Sequence, residues 1–189
     1  NAGARMNGIS YSKLMNGLTA IDRSQLGVPN YEARLQAYAA LASEESSSPL
    51  QTFTHDEVLP LIHIALHDLA HTSDLSLRTQ ALHMLTALLT RSVQNNTHVT
   101  VSSLLNVLSP AIRRQMNSSN ASARAEYLAL FVEVIRALPE QYADLVPLLS
   151  SDDEANFFYN MTHLQVHRRQ RALVRFCSYC ESGAIKKNV

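Results

Sequence analysis

The chain has 189 residues with 16 basic and 16 acidic side chains, no Trp and only five Gly, none of them between Val28 and Ser182. That gap excludes a phosphate-cradling glycine loop and a dinucleotide fingerprint, which need backbone that only glycine supplies, and it disfavours hairpin-rich sandwiches and barrels. Leu (27) and Ala (22) give the composition of packed helices, and the balanced charge signals neither a membrane surface nor a polyanion.

Apolar spacing predicts helices in chain order. Tyr31 to Ala42 is an alanine-rich helix followed by a polar linker, Ser43 to Pro49, expected to be a flexible loop. Residues 1–49 are therefore expected to hold terminal helices and a Ser-rich linker, and residues 50–189 a run of HEAT-like repeats. Thr54 and Glu57 have capping-box spacing. They precede a stripe of Val58, Ile62, Ala65, Leu66 and Leu69, with Pro60 expected to bend the helix. Another helix opens after Asp74 and carries Leu77, Ala81, Leu82, Leu85 and Leu88. Thr97 to Met116, Ala121 to Leu138 and a short Glu140 to Leu149 follow, and Ser151-Asp152-Asp153 is expected to cap one long final stretch, Glu154 to Tyr179.

Self-comparison finds a repeat. Arg78-Thr79-Gln80-Ala81-Leu82 matches Arg124-Ala125-Glu126-Tyr127-Leu128 and again Arg169-Gln170-Arg171-Ala172-Leu173, at spacings of 46 and 45 residues. A small polar residue, Asp74 or Asn120, stands four before the first two arginines. These intervals match helix-pair repeats of the HEAT and armadillo kind. The expected fold is all-α, an α-solenoid of antiparallel helix pairs.

Little in the chain carries catalytic chemistry. Cys177 and Cys180 form a CxxC without a second CxxC to complete a zinc site, and without the βαβ context of a redox motif. They are expected to be buried packing thiols. His63, His67 and His71 stack at i, i+4, i+8, and His163 and His167 repeat the spacing, yet no His-Glu-x-x-His accompanies them. They read as solvent- or partner-facing. With no Gly-x-Ser-x-Gly and no carboxylate pair in an unusual setting, the expectation is no enzyme, no metal, no cofactor and no small-molecule substrate. No apolar run suffices for a transmembrane helix and two cysteines suggest a reducing compartment, so a soluble intracellular protein is expected.

The asymmetric segment is the C-terminus. From Thr162 to Val189 there are six cations (Arg168, Arg169, Arg171, Arg175, Lys186 and Lys187) against one acid, Glu181, a local electrostatic footprint. At about 100° per residue, Val166, Leu173, Phe176, Cys177 and Cys180 are expected to form the buried side of the last helix. Arg169, which aligns with Arg78 and Arg124, is expected to bond between neighbouring repeats. Arg168, Arg171 and Arg175, within about 60° of one another, are expected to face a partner together with His167, Lys186 and Lys187.

The 21 residues from Asp153 to Leu173 resemble a signature of the down-regulated-in-metastasis family. The likeness rests on the acidic Asp153-Glu154 start, Phe157-Phe158, Asn160, His163, Gln165 and the His167-Arg168-Arg169 run closing on Arg171-Ala172-Leu173. The resemblance implies a piece of a giant nucleolar HEAT-repeat scaffold. Such proteins belong to the small-subunit processome, associate with the U-three small nucleolar RNA and serve pre-18S ribosomal RNA processing. Its implied partners are pre-ribosomal RNA and the proteins of the U-three snoRNP and processome. The alternative is a HEAT-type protein–protein adaptor that binds no RNA.

Overall fold

A computed structural model describes residues 10–24, 27–43, 53–94, 98–118, 120–152 and 154–185. Among them lie eight α-helices. They are α1 Tyr11–Leu18, α2 Tyr31–Ala42, α3 His55–His71, α4 Leu75–Gln94, α5 His98–Met116, α6 Ala121–Ala137, α7 Phe157–Met161 and α8 Val166–Glu181. The described residues contain no strand, and extended pairing is limited to an isolated antiparallel bridge between Ile21 and Pro29. The chain divides into two compact units, residues 1–107 and 108–189.

In the first unit α2 and α3 both pack on α4, while α1 packs on α2 and touches α3. The expected separation of residues 1–49 from the rest is therefore not a packing boundary, because α1 and α2 share this unit with α3 and α4. The Ser43–Pro49 linker falls, after Ser43, outside the described residues. The α3 stripe buries as its spacing dictates, with Val58, Ile62, Ala65, Leu66 and Leu69 all in the core. The helix continues through Pro60, which sits past the first turn and so forgoes the N–H bond to the Asp56 carbonyl. The Glu57 carboxylate accepts from the Thr54 N–H and hydroxyl, both at 2.9 Å. Asp74 caps the α4 backbone through Leu77 N, at 2.7 Å. Gly17 is where α1 crosses α2: a Cβ there would meet the Ala37 Cβ at 3.1 Å.

One polar cluster sits inside this apolar packing. Asp68 of α3 is buried; Arg34 Nη1 donates to its Oδ1 and the Tyr38 hydroxyl to its Oδ2, each at 2.9 Å. Arg34 and Tyr38 are one turn apart on α2, so a single carboxylate fixes both the height and the rotation of α2 against α3. Burial, the Asp68 charge and the hydrogen bond all push the Tyr38 phenol above its ordinary range, so it stays a donor.

The second unit is built on aromatic contacts. Val132, Ile135, Leu148 and Phe158 form its buried centre, and Phe131, Phe157 and Phe176 pack around them. Phe131 meets Phe158 edge-on at 5.7 Å, and Phe157 stacks with Phe176 at 5.4 Å.

Two expected elements differ here. Residues 139–149 form turns and a single 3₁₀ turn, Val146–Leu148, rather than an α-helix, with Pro139 and Pro147 removing the donors a helix would use. The long stretch from Glu154 to Tyr179 is broken into α7 and α8. Asn156 caps α7 by accepting from Phe158 N and Tyr159 N, so the helix starts there and not at Ser151-Asp152. Buried Asn160 donates to the Asn156 and Glu154 carbonyls, at 2.7 and 3.1 Å.

Removing the central carboxylate of the first unit leaves a guanidinium without its counterion. Asp68→Ala is expected to cost about 3 kcal/mol, the lower end for a broken buried pair, because the Arg34 side chain keeps 17% of its exposure. Tyr38→Phe, which strips one acceptor of its partner, is expected to cost about 1–3 kcal/mol. Urea unfolding of both variants checks the order.

Candidate interaction face on the last helix

The segment carrying the basic residues is anchored before it is offered to anything. Asp152 Oδ1 accepts from Glu154 N at 2.9 Å, and the Asn156–Asn160 bonds fix the turn below it. Two of the expected partner-facing arginines are held to this loop. Arg168 Nη2 lies 2.5 Å from Glu154 Oε1, and Arg175 Nη1 donates to the Ala155 carbonyl at 3.0 Å. The helical phase did place Arg168, Arg171 and Arg175 on one edge, but Arg168 and Arg175 are not free there. Arg171 is exposed and has no partner among the described residues, and His167 beside it is exposed too. Lys186 and Lys187 lie outside the described residues.

The expected repeat arginines are the fourth residues of their helices: Arg78 in α4, Arg124 in α6 and Arg169 in α8. Arg169 Nη1 donates to the carbonyls of His163 and Leu164, at 2.6 and 3.0 Å. Arg124 donates to the Ser118 carbonyl in the same way, six residues back. These bonds close the turn ahead of each arginine's own helix and do not run to a neighbouring repeat, which corrects the expected role. Arg78 is half-buried at the equivalent place.

The buried side of α8 also differs from the expected one. Ala172 is buried, and Phe176 and Tyr179 pack into the aromatic core. Val166, Leu173, Val174 and Cys177 are exposed instead, at 57%, 47% and 65% for the first three, and Leu164 just ahead of the helix is 93% exposed. Cys177 and half-buried Cys180 are free thiols rather than buried packing. Arg169 explains the difference: its two carbonyl bonds and the Arg168–Glu154 pair turn that side of the helix toward the loop. The aromatic pair Phe176–Phe157 completes the buried side, and the aliphatic residues are left outside.

His163 Nδ1 accepts from Gln165 N at 3.1 Å. Its pKa is lowered by desolvation first and then by the charges of Arg168, His167 and Arg169, so the fold favours the neutral acceptor. His63, His67 and His71 are all exposed on α3, with the His67 and His71 rings 4.8 Å apart. Among the described residues no group of three or more His, Cys, Asp or Glu is placed to hold a metal ion, and no helix is long and apolar enough to cross a membrane. Sequence reading missed Asn156 and Asn160. Their signal was present, an Asn one residue before Phe157 and another four later, but it was outweighed by the acidic run ahead of them.

The described residues are helical apart from turns and one isolated bridge, which places the chain in the all-α class. The family profile of U3 small nucleolar RNA-associated protein 20, N-terminal, matches residues 6–120, and the chain belongs to that family. The chain is 27% identical over 187 residues to U3 small nucleolar RNA-associated protein 20 of Schizosaccharomyces pombe, covering 95% of this chain. It is 28% identical over 173 residues to the protein of that name in Saccharomyces cerevisiae, covering 88%. It spans 7% of the length of each of these relatives.

Two measurements probe this segment. Arg169→Ala is expected to cost about 1–3 kcal/mol through unpaired carbonyls, whereas Arg171→Ala stays within about 0.5 kcal/mol of the parent; thermal melts separate them. Because the folded pKa of His163 lies below the ordinary 6.5, the unfolded chain binds its proton first on acidification. The stability of the α7–α8 turn is therefore present above about pH 6.5 and is lost as pH falls through the folded value. An NMR titration should place the His163 midpoint below 6.5, with Gln165 amide protection falling alongside; a midpoint at or above it removes the turn's claim on the neutral ring.

Proposed function

We propose that the chain is a non-catalytic α-solenoid segment of a nucleolar ribosome-biogenesis scaffold. Its place is the small-subunit processome, where it supports pre-18S ribosomal RNA processing by contacting both pre-ribosomal RNA and proteins. Family membership carries the reading: the relatives' printed name associates them with the U3 small nucleolar RNA, and this chain aligns with them over most of its length. The three arginines at equal helical positions, of which Arg124 and Arg169 close the turn ahead of their helix in the same way, support the solenoid, since near-constant spacing belongs to stacked helix pairs.

Arg171, with His167 beside it on the α8 edge, and the tail lysines Lys186 and Lys187 remain for RNA phosphates. The open aliphatic residues of α8 favour a protein contact as well, and they are what a protein-only HEAT adaptor would also show. Salt separates the two readings. Binding of the 189-residue chain to U3 small nucleolar RNA is expected to weaken steeply as salt rises, through counterion release. Replacing Lys186 and Lys187 by Ala should flatten the slope of log K against log salt by roughly 1–2 units. Anisotropy titrations at several salt concentrations read this directly. Absence of binding at low salt leaves the adaptor reading in possession.

A further inference from the structure

We infer that Ser151 is a phosphorylation site for an acid-directed protein kinase, and that its phosphate is taken by the guanidinium of Arg171 on α8. The consequence for RNA rests on the scaffold reading above, because it concerns the cationic edge which that reading assigns to RNA phosphates.

Ser151 is followed by Asp152, Asp153 and Glu154, and no other Ser or Thr in the chain precedes three consecutive acids. Kinases choose substrates by charge pattern, and three acids after a serine suit a groove lined by cations. Ser151 is exposed in a bend outside any helix, and its hydroxyl has no hydrogen-bond partner among the described residues. Asp152 and Glu154 are exposed with it, and carboxylates are rarely buried without partners, so the loop stays open to a kinase. The neighbouring hydroxyls are less available: Ser150 is half-buried and accepts from Asp152 N at 3.1 Å, and Thr54, ahead of Asp56 and Glu57, donates to Glu57. In the transfer, Ser151 Oγ bonds the γ-phosphorus of ATP and the bond from that phosphorus to the ADP oxygen breaks. The hydroxyl proton passes to the kinase's base.

The loop that carries Ser151 already lies on the cationic edge of α8. Glu154 pairs with Arg168, and the Ala155 carbonyl accepts from Arg175. Ala155 N and Asn156 N both donate to the Asp152 carbonyl, at 2.9 and 3.0 Å. The loop is therefore folded back on itself, and Ser151 stands closer to these contacts than the ~10 Å that three extended residues span. Along the helix, Arg171 is about 4.5 Å from Arg168 and about 6 Å from Arg175, turned about 40–60° aside from both. It is exposed and has no partner among the described residues. A phosphoserine brings a charge of about −2 and three acceptor oxygens, and a guanidinium meets a phosphate through two parallel bonds. Asp152 and Glu154 repel that phosphate, so it needs a cation that no carboxylate already holds. Arg168 has Glu154, whereas Arg171 is open. On the scaffold reading, phosphate on Ser151 withdraws Arg171 from RNA and leaves the tail lysines to make that contact.

Phosphopeptide mapping of the whole protein, from growing and from nutrient-starved cells, is expected to find phosphate on Ser151; its absence from both overturns the inference. The 189-residue chain is then treated with an acid-directed casein kinase and magnesium ATP, with Ser151→Ala as the control that takes up no phosphate there. A phosphorus-31 NMR titration reads the second pKa of the phosphoserine, ordinarily about 6. A nearby cation favours the dianion, so Arg171→Ala is expected to raise that midpoint by about 1, whereas Arg113→Ala, exposed on α5, leaves it in place. A midpoint indifferent to Arg171 overturns the inference. Anisotropy with U3 small nucleolar RNA is scored separately. Phosphorylation is expected to flatten the slope of log K against log salt by roughly one unit, and to add nothing further in Arg171→Ala. A chain that binds RNA with the same slope before and after phosphorylation overturns the inference and leaves the RNA reading standing. A chain that binds no RNA while its midpoint still answers to Arg171 overturns the RNA reading and leaves the phosphate–arginine contact standing.

Discussion

A helix that stops in mid-sequence leaves carbonyl oxygens without partners, and at the α7–α8 break two of the oxygens that find one belong to His163 and Leu164. Arg169 reaches back to both. A guanidinium is suited to this because its planar fork presents several donors in fixed directions and it is always charged. The consequence extends beyond the turn. A helix tied by its first turn to the segment before it has little freedom to rotate, so the arc of α8 that meets Phe157 and the arc left to solvent are settled together. The exposed aliphatic stripe follows from that one anchoring.

The same device recurs with a graded dependence on its neighbours. In α6 the side chain of Asn120 already caps the backbone at Ser122 and Ala123, and Arg124 adds a bond to the Ser118 carbonyl. In α4 Asp74 supplies the cap through Leu77 N. In α8 the N-cap residue is Gln165, whose side chain makes no capping bond, and there the arginine binds two carbonyls. Between α6 and α8, the arginine binds more carbonyls where the side-chain cap is missing. Arg124 and Arg169 align because both helix starts need a polar closure, which each supplies by reaching six residues back.

Much of the fold was legible because it depends on local signals. The α2 limits, the start of α3 at Thr54 and the buried stripe of α3 all follow from spacing and capping chemistry read over a few residues. The rotation of α8 was not legible. Val166, Leu173, Phe176, Cys177 and Cys180 do share one side by angle, but angle alone cannot tell an arc facing the protein's own core from an arc facing something else. That was decided by Arg168, Arg169 and Asn156, polar residues whose partners lie in other elements or in a turn that periodicity did not reveal. The free edge shrank for the same reason: Glu154 and Ala155 reach Arg168 and Arg175 only because the chain breaks between α7 and α8. The family signal was split as well. The profile covers residues 6–120, which read only as generic helices, while the stretch that carried the resemblance, 153–173, lies beyond it and is largely built of residues that hold the α7–α8 turn together.

The two units treat their unusual polar and apolar groups in opposite ways. In the first, a buried carboxylate at Asp68 is matched by Arg34 and Tyr38, so the charge is satisfied internally and asks nothing of a partner. In the second, the buried polar groups Asn156 and Asn160 are likewise satisfied within their turn, yet α8 keeps aliphatic surface that its own unit does not cover. A helix with a single neighbour needs one apolar arc; α8 has Ala172 and Phe176 on the arc its unit covers and Leu173, Val166 and Val174 outside it, interleaved with exposed Gln170 and Glu181. What the fold leaves open at α8 is aliphatic surface beside Arg171 that the described residues of its own unit do not cover.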